Sequence, residues 1–265
     1  MDLNIRDRVA LITGATGGMG FATAEILAQE GCKLVLSDLD VENLKTDCEH
    51  LQSEHVCLEA DVTDQGAVDA MVEKAMERFG RVDIVIHTAG ITGAKGHPLE
   101  MTDADYEEAW QIDFMSAVRV ARATFPHMRK AGWGRFVCIT SENAVQPYWE
   151  EATYNTAKAA LAAFVKNLSY KEAEHGILCN TVSPAFIKTD MTDGMMEKRA
   201  EKLGVSIDEA VESFLDEERP GIALKRRGRV EEVAAAIALI VSERGSFING
   251  SNMRVDGGSV QAVQN

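Results

Sequence analysis

Seven short runs along the chain read as strands buried on both faces: Val9–Thr13, Lys33–Ser37, Val56–Glu59, Ile84–His87, Phe136–Ile139, Leu178–Val182 and Asn252–Val255. They lack the polar/apolar alternation of a half-solvated antiparallel sheet, so both sides must be covered. Amphipathic stretches of helical period lie between them, at roughly 18–30, 41–51, 64–79, 103–129, 152–175 and 230–241. Strand–helix alternation of this kind specifies an α/β fold, a doubly wound parallel sheet with right-handed crossovers. Thr102-Asp103-Ala104-Asp105 supplies a capping hydroxyl and early carboxylates for the helix that follows. Only Asp190–Gly221 breaks the rhythm. Two charged helices are expected there, Met195–Leu203 and Ile207–Glu218, with no strand until Asn252. With 46% apolar residues in 265, one large core suffices. The chain is therefore read as a single domain, 1–265, with a substrate lid inserted at about 190–221.

Charge narrows the function. The net charge is −15, and the one tight basic cluster is Lys225-Arg226-Arg227 with Arg229. Nucleic-acid binding needs a basic stripe, so that class is excluded. Five scattered cysteines include no Cys-x-x-Cys pair, which argues against a zinc knuckle or a redox motif and suits a reducing compartment. No metal site is expected. The stretch Met1–Arg8 is charged and lacks a signal-peptide apolar segment, and no run approaches the ~20 apolar residues of a membrane span. A cytoplasmic location without membrane partners is expected.

Three groups of residues carry chemistry. The first strand runs into Thr13-Gly14-Ala15-Thr16-Gly17-Gly18-Met19-Gly20 and then a helix. Glycines at such a turn let the backbone approach a pyrophosphate, and the helix N-terminus offers unpaired N–H groups. Asp38 ends the second strand, where a carboxylate accepts hydrogen bonds from the adenosine ribose and repels a 2′-phosphate. No lysine or arginine stands among Ala15, Thr16, Gly17, Ser37 and Leu39 to neutralise one, which points to NAD. Asp38 or Asp40 also suits the cap of the helix from Val41. Finally, Tyr154 and Lys158 lie one helical turn apart on one face. An ammonium beside a phenol lowers the phenol pKa and prepares it for proton exchange with an alcohol or ketone. Ser141, at the end of an apolar run, is placed to deliver a hydroxyl to the same spot.

With these motifs the chain resembles a short-chain dehydrogenase/reductase of the compact single-domain type, over about Arg6 to Gly258. The coenzyme motif corresponds to Thr13-Gly14-x-x-x-Gly18-x-Gly20, the adenine-contacting pair to Asp61-Val62, and the catalytic residues to Ser141, Tyr154 and Lys158. Pro184-Ala185-Phe186-Ile187-Lys188-Thr189 resembles the segment that grips the nicotinamide end. Arg227–Ala234 and Val255–Gly258 resemble C-terminal signatures. The resemblance implies a Rossmann-type sheet of seven parallel strands with helices on both faces. It implies NAD held by Gly14, Thr16, Gly18, Met19, Gly20, Asp38, Leu39, Asp61, Val62, Ala89, Gly90, Tyr154, Lys158, Pro184, Ile187 and Thr189. In the implied reaction Tyr154 is the general acid/base, Ser141 steadies the substrate oxygen, and Lys158 binds the nicotinamide ribose. A homotetramer built through the helices near 103–129 and 152–175 is also implied.

The chain departs from the family pattern at three places. His87-Thr88-Ala89-Gly90 stands where Asn-Asn-Ala-Gly is usual, and His87 reads as a satisfied core or cofactor-side residue. Asp113 stands where an asparagine holds a relay water behind the lysine, and is expected as an altered relay member. Ala185 replaces a glycine. Substrate contacts are expected from Ser141, Tyr154, Gln146, Tyr148 and Trp149, and from Met191 and Met195 of the lid. The function expected is reversible NAD-dependent hydride transfer between a secondary alcohol and its ketone, the substrate being alicyclic, aromatic, steroidal, hydroxyacyl or sugar-type. The alternatives are an NADP-dependent 3-oxoacyl reductase of the same family and a non-catalytic NAD-binding regulator.

Overall fold

The computed structural model describes residues 2–263. Within them one parallel sheet is formed by β1 (Val9–Thr13), β2 (Lys33–Asp38), β3 (His55–Glu59), β4 (Ile84–His87), β5 (Gly134–Ile139), β6 (Ile177–Pro184) and β7 (Asn252–Val255). The strand order is β3-β2-β1-β4-β5-β6-β7. The helices are α1 (Gly18–Gln29), α2 (Val41–Cys48), α3 (Gln65–Phe79), α4 (Asp103–Trp110), α5 (Ser116–Ala131), α6 (Ala152–Glu172), α7 (Asp190–Leu203), α8 (Ile207–Glu217) and α9 (Val230–Val241). Alternate strand residues feed opposite cores. Ile12, Leu34 and Ile86 pack with Leu27 of α1 and Ile237 of α9. Leu11, Val85 and Phe136 pack with Met71 of α3, Phe125 of α5 and Leu161 of α6. A separate cluster, Phe186, Met196, Phe214, Leu215 and Ile222, holds the α7–α8 segment. No helix among the described residues is long and apolar enough to cross a membrane.

Two boundaries differ from expectation, each for a local reason. The long helix expected over 103–129 is broken by a π turn, Gln111–Met115, between α4 and α5. A π turn widens the helix by one residue and re-aims the side chains within it; here it carries Asp113, which is fully buried. In the inserted segment α7 begins at Asp190 instead of Met195, because Thr189 caps it by accepting from the Thr192 amide.

The strand order reverses between β1 and β4, which opens a crevice at the C-terminal ends of these strands. His87 ends β4 opposite Thr13 of β1. Its Nδ1 is 2.8 Å from the Thr13 hydroxyl, and its Nε2 is 2.8 Å from the Ser116 hydroxyl. Ser116 spends its own proton on the Ile112 carbonyl of the π turn. Nε2 must therefore be the donor and Nδ1 the acceptor, which selects one neutral tautomer. Burial, aided by the nearby Lys158 charge, pushes the His87 pKa down to about 3. The ring thus fastens the end of β4 to the π turn as a neutral strut.

An unfolded histidine titrates near 6.5, so between there and about 3 the unfolded chain binds a proton that the native chain refuses. This contribution to stability is intact above pH 6.5 and falls as the pH drops, by on the order of 3 kcal/mol at pH 4. His87→Asn is expected to shrink the difference in Tm between pH 7 and pH 4. An unchanged difference in thermal melts would refute the assignment.

Candidate active site

The crevice begins at the glycine turn. Gly14 has φ +69°, and a Cβ there would stand 2.7 Å from the Ala89 amide nitrogen. Thr88, which the sequence reading passed over, pins the turn by donating to the carbonyls of Thr13 (2.7 Å) and Gly14 (3.0 Å). Helix α1 starts from Gly17 with no side-chain cap, so its first N–H groups are available to an anion. Asp38 Oδ2 accepts from the Thr16 amide at 3.0 Å and the Thr16 hydroxyl at 2.7 Å, and Oδ1 accepts from the Leu39 amide at 2.8 Å. The cap of α2 is Asp40, whose carboxylate receives the Asn43 amide. The Thr63 hydroxyl and amide both donate to Asp61 and hold its carboxyl below the usual range.

Gly14, Thr16, Gly18, Met19, Gly20, Asp38, Leu39, Asp61, Val62, Ala89, Gly90 and Thr189 all line one cavity of about 500 Å³. No lysine or arginine is among its described lining residues. An open glycine turn, an uncapped helix start and a strand-end carboxylate fit a nicotinamide dinucleotide. Pro184 and Ile187 line an adjoining cavity of about 700 Å³, which shares Met19, Gly90 and Thr189 with the first.

The second cavity also brings together Ser141, Tyr154, Lys158 and Asp113. Ser141 follows β5 and caps a one-turn helix, Glu142–Ala144, accepting the Asn143 amide at 3.2 Å. Its hydroxyl donates to Asn143 Oδ1 at 3.0 Å and also lies within hydrogen-bonding reach of Tyr154. On α6, Lys158 Nζ stands 5.5 Å from the Tyr154 ring centre. It donates to the Ile139 carbonyl at 3.1 Å and pairs with Asp113 Oδ1 at 3.2 Å. Asp113 Oδ1 accepts the Ile91 amide as well, at 3.1 Å, while its buried Oδ2 has no hydrogen bond. Gly90 leaves room for the pair: a Cβ there would lie 2.6 Å from Asp113 Oδ1 and 3.1 Å from Lys158 Nζ.

The electrostatics differ from expectation. Burial pushes the Tyr154 pKa above the usual phenol value. Lys158 opposes this and Asp113 reinforces it. The depression expected from Lys158 alone is therefore overturned, because the phenol is desolvated and the lysine's charge is shared with a carboxylate. Burial works against the Lys158 ammonium, but Asp113 and Tyr154 outweigh it and hold that group above the usual lysine range. Burial likewise raises Asp113, with Lys158 opposing.

On the substrate side, Met191 and Met195 of α7 line the cavity. Gln146 and Tyr148 do not. Gln146 donates to the Ser259 carbonyl at 3.0 Å, and the Tyr148 hydroxyl is 3.4 Å from the Ser259 hydroxyl. Trp149 is exposed and lies outside as well. Their places are taken by Lys95, Glu142, Asn143, Glu151 and Arg219. Glu142 and Asn143 adjoin Ser141 in sequence, a visible signal. Lys95 and Arg219 arrive from distant loops and carry none.

A family model described as enoyl-(acyl carrier protein) reductase matches residues 14–260. The 3-oxoacyl-[acyl-carrier-protein] reductase of Escherichia coli is 30% identical over 260 residues, 97% of this chain and 98% of that protein. Among solved structures, the L-sorbose reductase of Gluconobacter frateurii, in complex with NADPH and L-sorbose, superposes with a TM-score of 0.93 at 33% identity, covering 99% of this chain and 100% of that one. Levodione reductase superposes at 0.88 with 30% identity, over 96% and 98% of the two chains.

Asp113→Asn removes the charge that raises Tyr154 and leaves Lys158 as an unshared cation. The Tyr154 phenol is then expected to ionise at lower pH than in the wild type. Tyrosinate absorbance titrations, with Tyr154→Phe to assign the transition, measure this. A shift upward, or none, would contradict the pairing.

Proposed function

The chain belongs to the short-chain dehydrogenase/reductase family, and on that premise we propose that it catalyses reversible, NAD-dependent hydride transfer between a secondary alcohol and its ketone. The observation that carries the reading is the meeting of Ser141, Tyr154 and the Lys158–Asp113 pair in the cavity that adjoins the glycine-turn crevice.

The Tyr154 phenol gives its proton to the carbonyl oxygen in reduction, and the Tyr154 phenolate takes the alcohol's proton in oxidation. Ser141 Oγ holds that same oxygen. Lys158, fixed by Asp113 and the Ile139 carbonyl, offsets the phenolate charge and would hold the nicotinamide ribose. The dinucleotide, when bound, supplies or accepts the hydride. Gly14, Thr16, Gly18 and Gly20 would hold its pyrophosphate, Asp61 and Val62 its adenine, and Pro184, Ile187 and Thr189 its nicotinamide end. Asp38 favours NAD: it presents a carboxylate to the ribose, with no cation in the described lining to offset a 2′-phosphate. The α7–α8 segment serves as a lid, with Met191 and Met195 as adaptable apolar contacts. Assembly as a homotetramer through the 103–129 stretch (α4, the π turn and α5) and α6 is supported by the aromatic set of Trp110 on α4, Phe114 in the π turn and Phe164 on α6, where Trp110 is part-exposed.

The similarity to the Escherichia coli 3-oxoacyl reductase favours a second reading, an NADP-dependent reduction of 3-oxoacyl thioesters. Parallel assays with both coenzymes separate the two.

The primary test is a screen of secondary alcohols with NAD, followed as NADH formation. Tyr154→Phe is expected to lower turnover by about a thousandfold while NADH still binds. Unchanged turnover would end this mechanism. Asp38→Ala is expected to weaken NAD binding by about tenfold or more and NADP binding far less, as the loss of hydrogen bonds to a charged group implies. Titration of both coenzymes measures it, and a wild-type preference for NADP would reverse the carboxylate argument.

A further inference from the structure

Beside Ser141 the cavity wall is charged and mostly buried. Glu151 sits at its centre. Lys95 Nζ donates to its Oε1 at 2.6 Å, Arg219 Nη2 lies 3.1 Å from both oxygens, and Asn143 Nδ2 donates to Oε2 at 2.6 Å. Glu142, next in sequence to Ser141, is 2% exposed. Its Oε1 is 3.5 Å from Arg219 Nε, and the carboxyl also lies within hydrogen-bonding reach of the Ser259 and Tyr148 hydroxyls. The central carbon of the Arg219 guanidinium stands over the Tyr148 ring, 3.4 Å from its centre, which restrains the fork. Asn143 joins this wall to the reacting end. Its amide nitrogen serves Glu151 and Asn155, and its amide oxygen receives the Ser141 hydroxyl.

Nothing in the proton transfer requires these groups, and each occupant class makes a different demand of them. Two carboxylates balance two cations, so the wall gives no net attraction to a phosphate or carboxylate, and Glu142 would repel one. A steroid, an aromatic ring or an acyl arm would strip water from Lys95 and Arg219 and return no hydrogen bond, an unfavourable exchange. A hydroxyl both donates and accepts. The Glu151 carboxylate, with 12% of its side chain exposed, presents acceptor oxygens, while Lys95 has donors beyond the one it gives to Glu151. Phe186, Phe214, Met191 and Met195 line the same cavity and suit the C–H face of a carbon chain.

We propose that the Lys95/Asn143/Glu151/Arg219 wall reads the hydroxyls that neighbour the reacting carbon, so that the site takes a neutral polyol and the corresponding ketose. This assignment of substrate class rests on the hydride-transfer reading above.

The test compares sorbitol and mannitol with cyclohexanol and with the N-acetylcysteamine thioester of 3-hydroxybutyrate, each with NAD and NADP. The hexitols are expected to show kcat/KM about tenfold or more above both comparators. Arg219→Met is expected to lower the hexitol-to-cyclohexanol ratio of kcat/KM by about tenfold or more, chiefly through the hexitol KM. Should Arg219→Met fail to fold, Lys95→Met, at a part-exposed side chain, carries the same expectation. Fructose and sorbose binding to NADH-loaded Tyr154→Phe, read by nicotinamide fluorescence, gives a measure independent of turnover. Equal use of cyclohexanol or the thioester, or an unchanged ratio in the variants, would overturn the polyol assignment and leave hydride transfer standing. Ketose binding to Tyr154→Phe without oxidation of any alcohol by the wild type would do the reverse.

Discussion

The ion pair between Lys158 and Asp113 is the constraint to which the rest of the site answers. Both groups are buried, and a buried charge without a partner costs several kcal/mol. Each is therefore surrounded by backbone groups chosen for it: the Ile139 carbonyl for the ammonium, the Ile91 amide for the carboxylate. Gly90 is bare because any side chain would intrude between them. The π turn brings Asp113 inward, and His87 braces that turn from the end of β4 through Ser116. Removing either charge would strand the other inside the sheet's C-terminal edge.

Tyr154 is balanced against this pair. A lysine alone would draw the phenol toward ionisation. A lysine bound to a carboxylate does so less, and desolvation then prevails. Placing an acid where the family has an amide thus changes the charge arithmetic of proton transfer without moving the phenol, the hydroxyl or the ammonium out of the shared cavity. It also commits Lys158 to its protonated form more firmly than a neutral relay would.

Much of this was legible in the sequence, and the boundary of legibility is physical. Strands buried on both faces announce themselves as apolar runs, and the observed sheet follows them closely. The glycine turn, Asp38, and the order Ser141, Tyr154, Lys158 depend on short spacings that a linear chain records. The π turn was not legible, because Gln111-Ile112-Asp113-Phe114-Met115 differs from ordinary helix only in a hydrogen-bond register that tertiary contacts select. Nor was the sign of the Tyr154 shift, which depends on how much water is excluded. Gln146, Tyr148 and Trp149 looked like pocket residues because they are near Ser141 in sequence. The tight turn after Ser141 instead sends the first two toward Ser259 and leaves the third exposed, while Arg219 fills the space from the far side.

Arg219 follows α8, whose apolar residues belong to a cluster of their own, separate from the two cores of the sheet. Its partner Glu151 stands just before α6, and the two are 68 residues apart in sequence. The charged wall is therefore a joint between two independently packed bodies of side chains. The substrate-facing wall is thus only as fixed as the contact between those two bodies, and the Arg219 guanidinium, bridging to both oxygens of Glu151, is the latch that holds them in register.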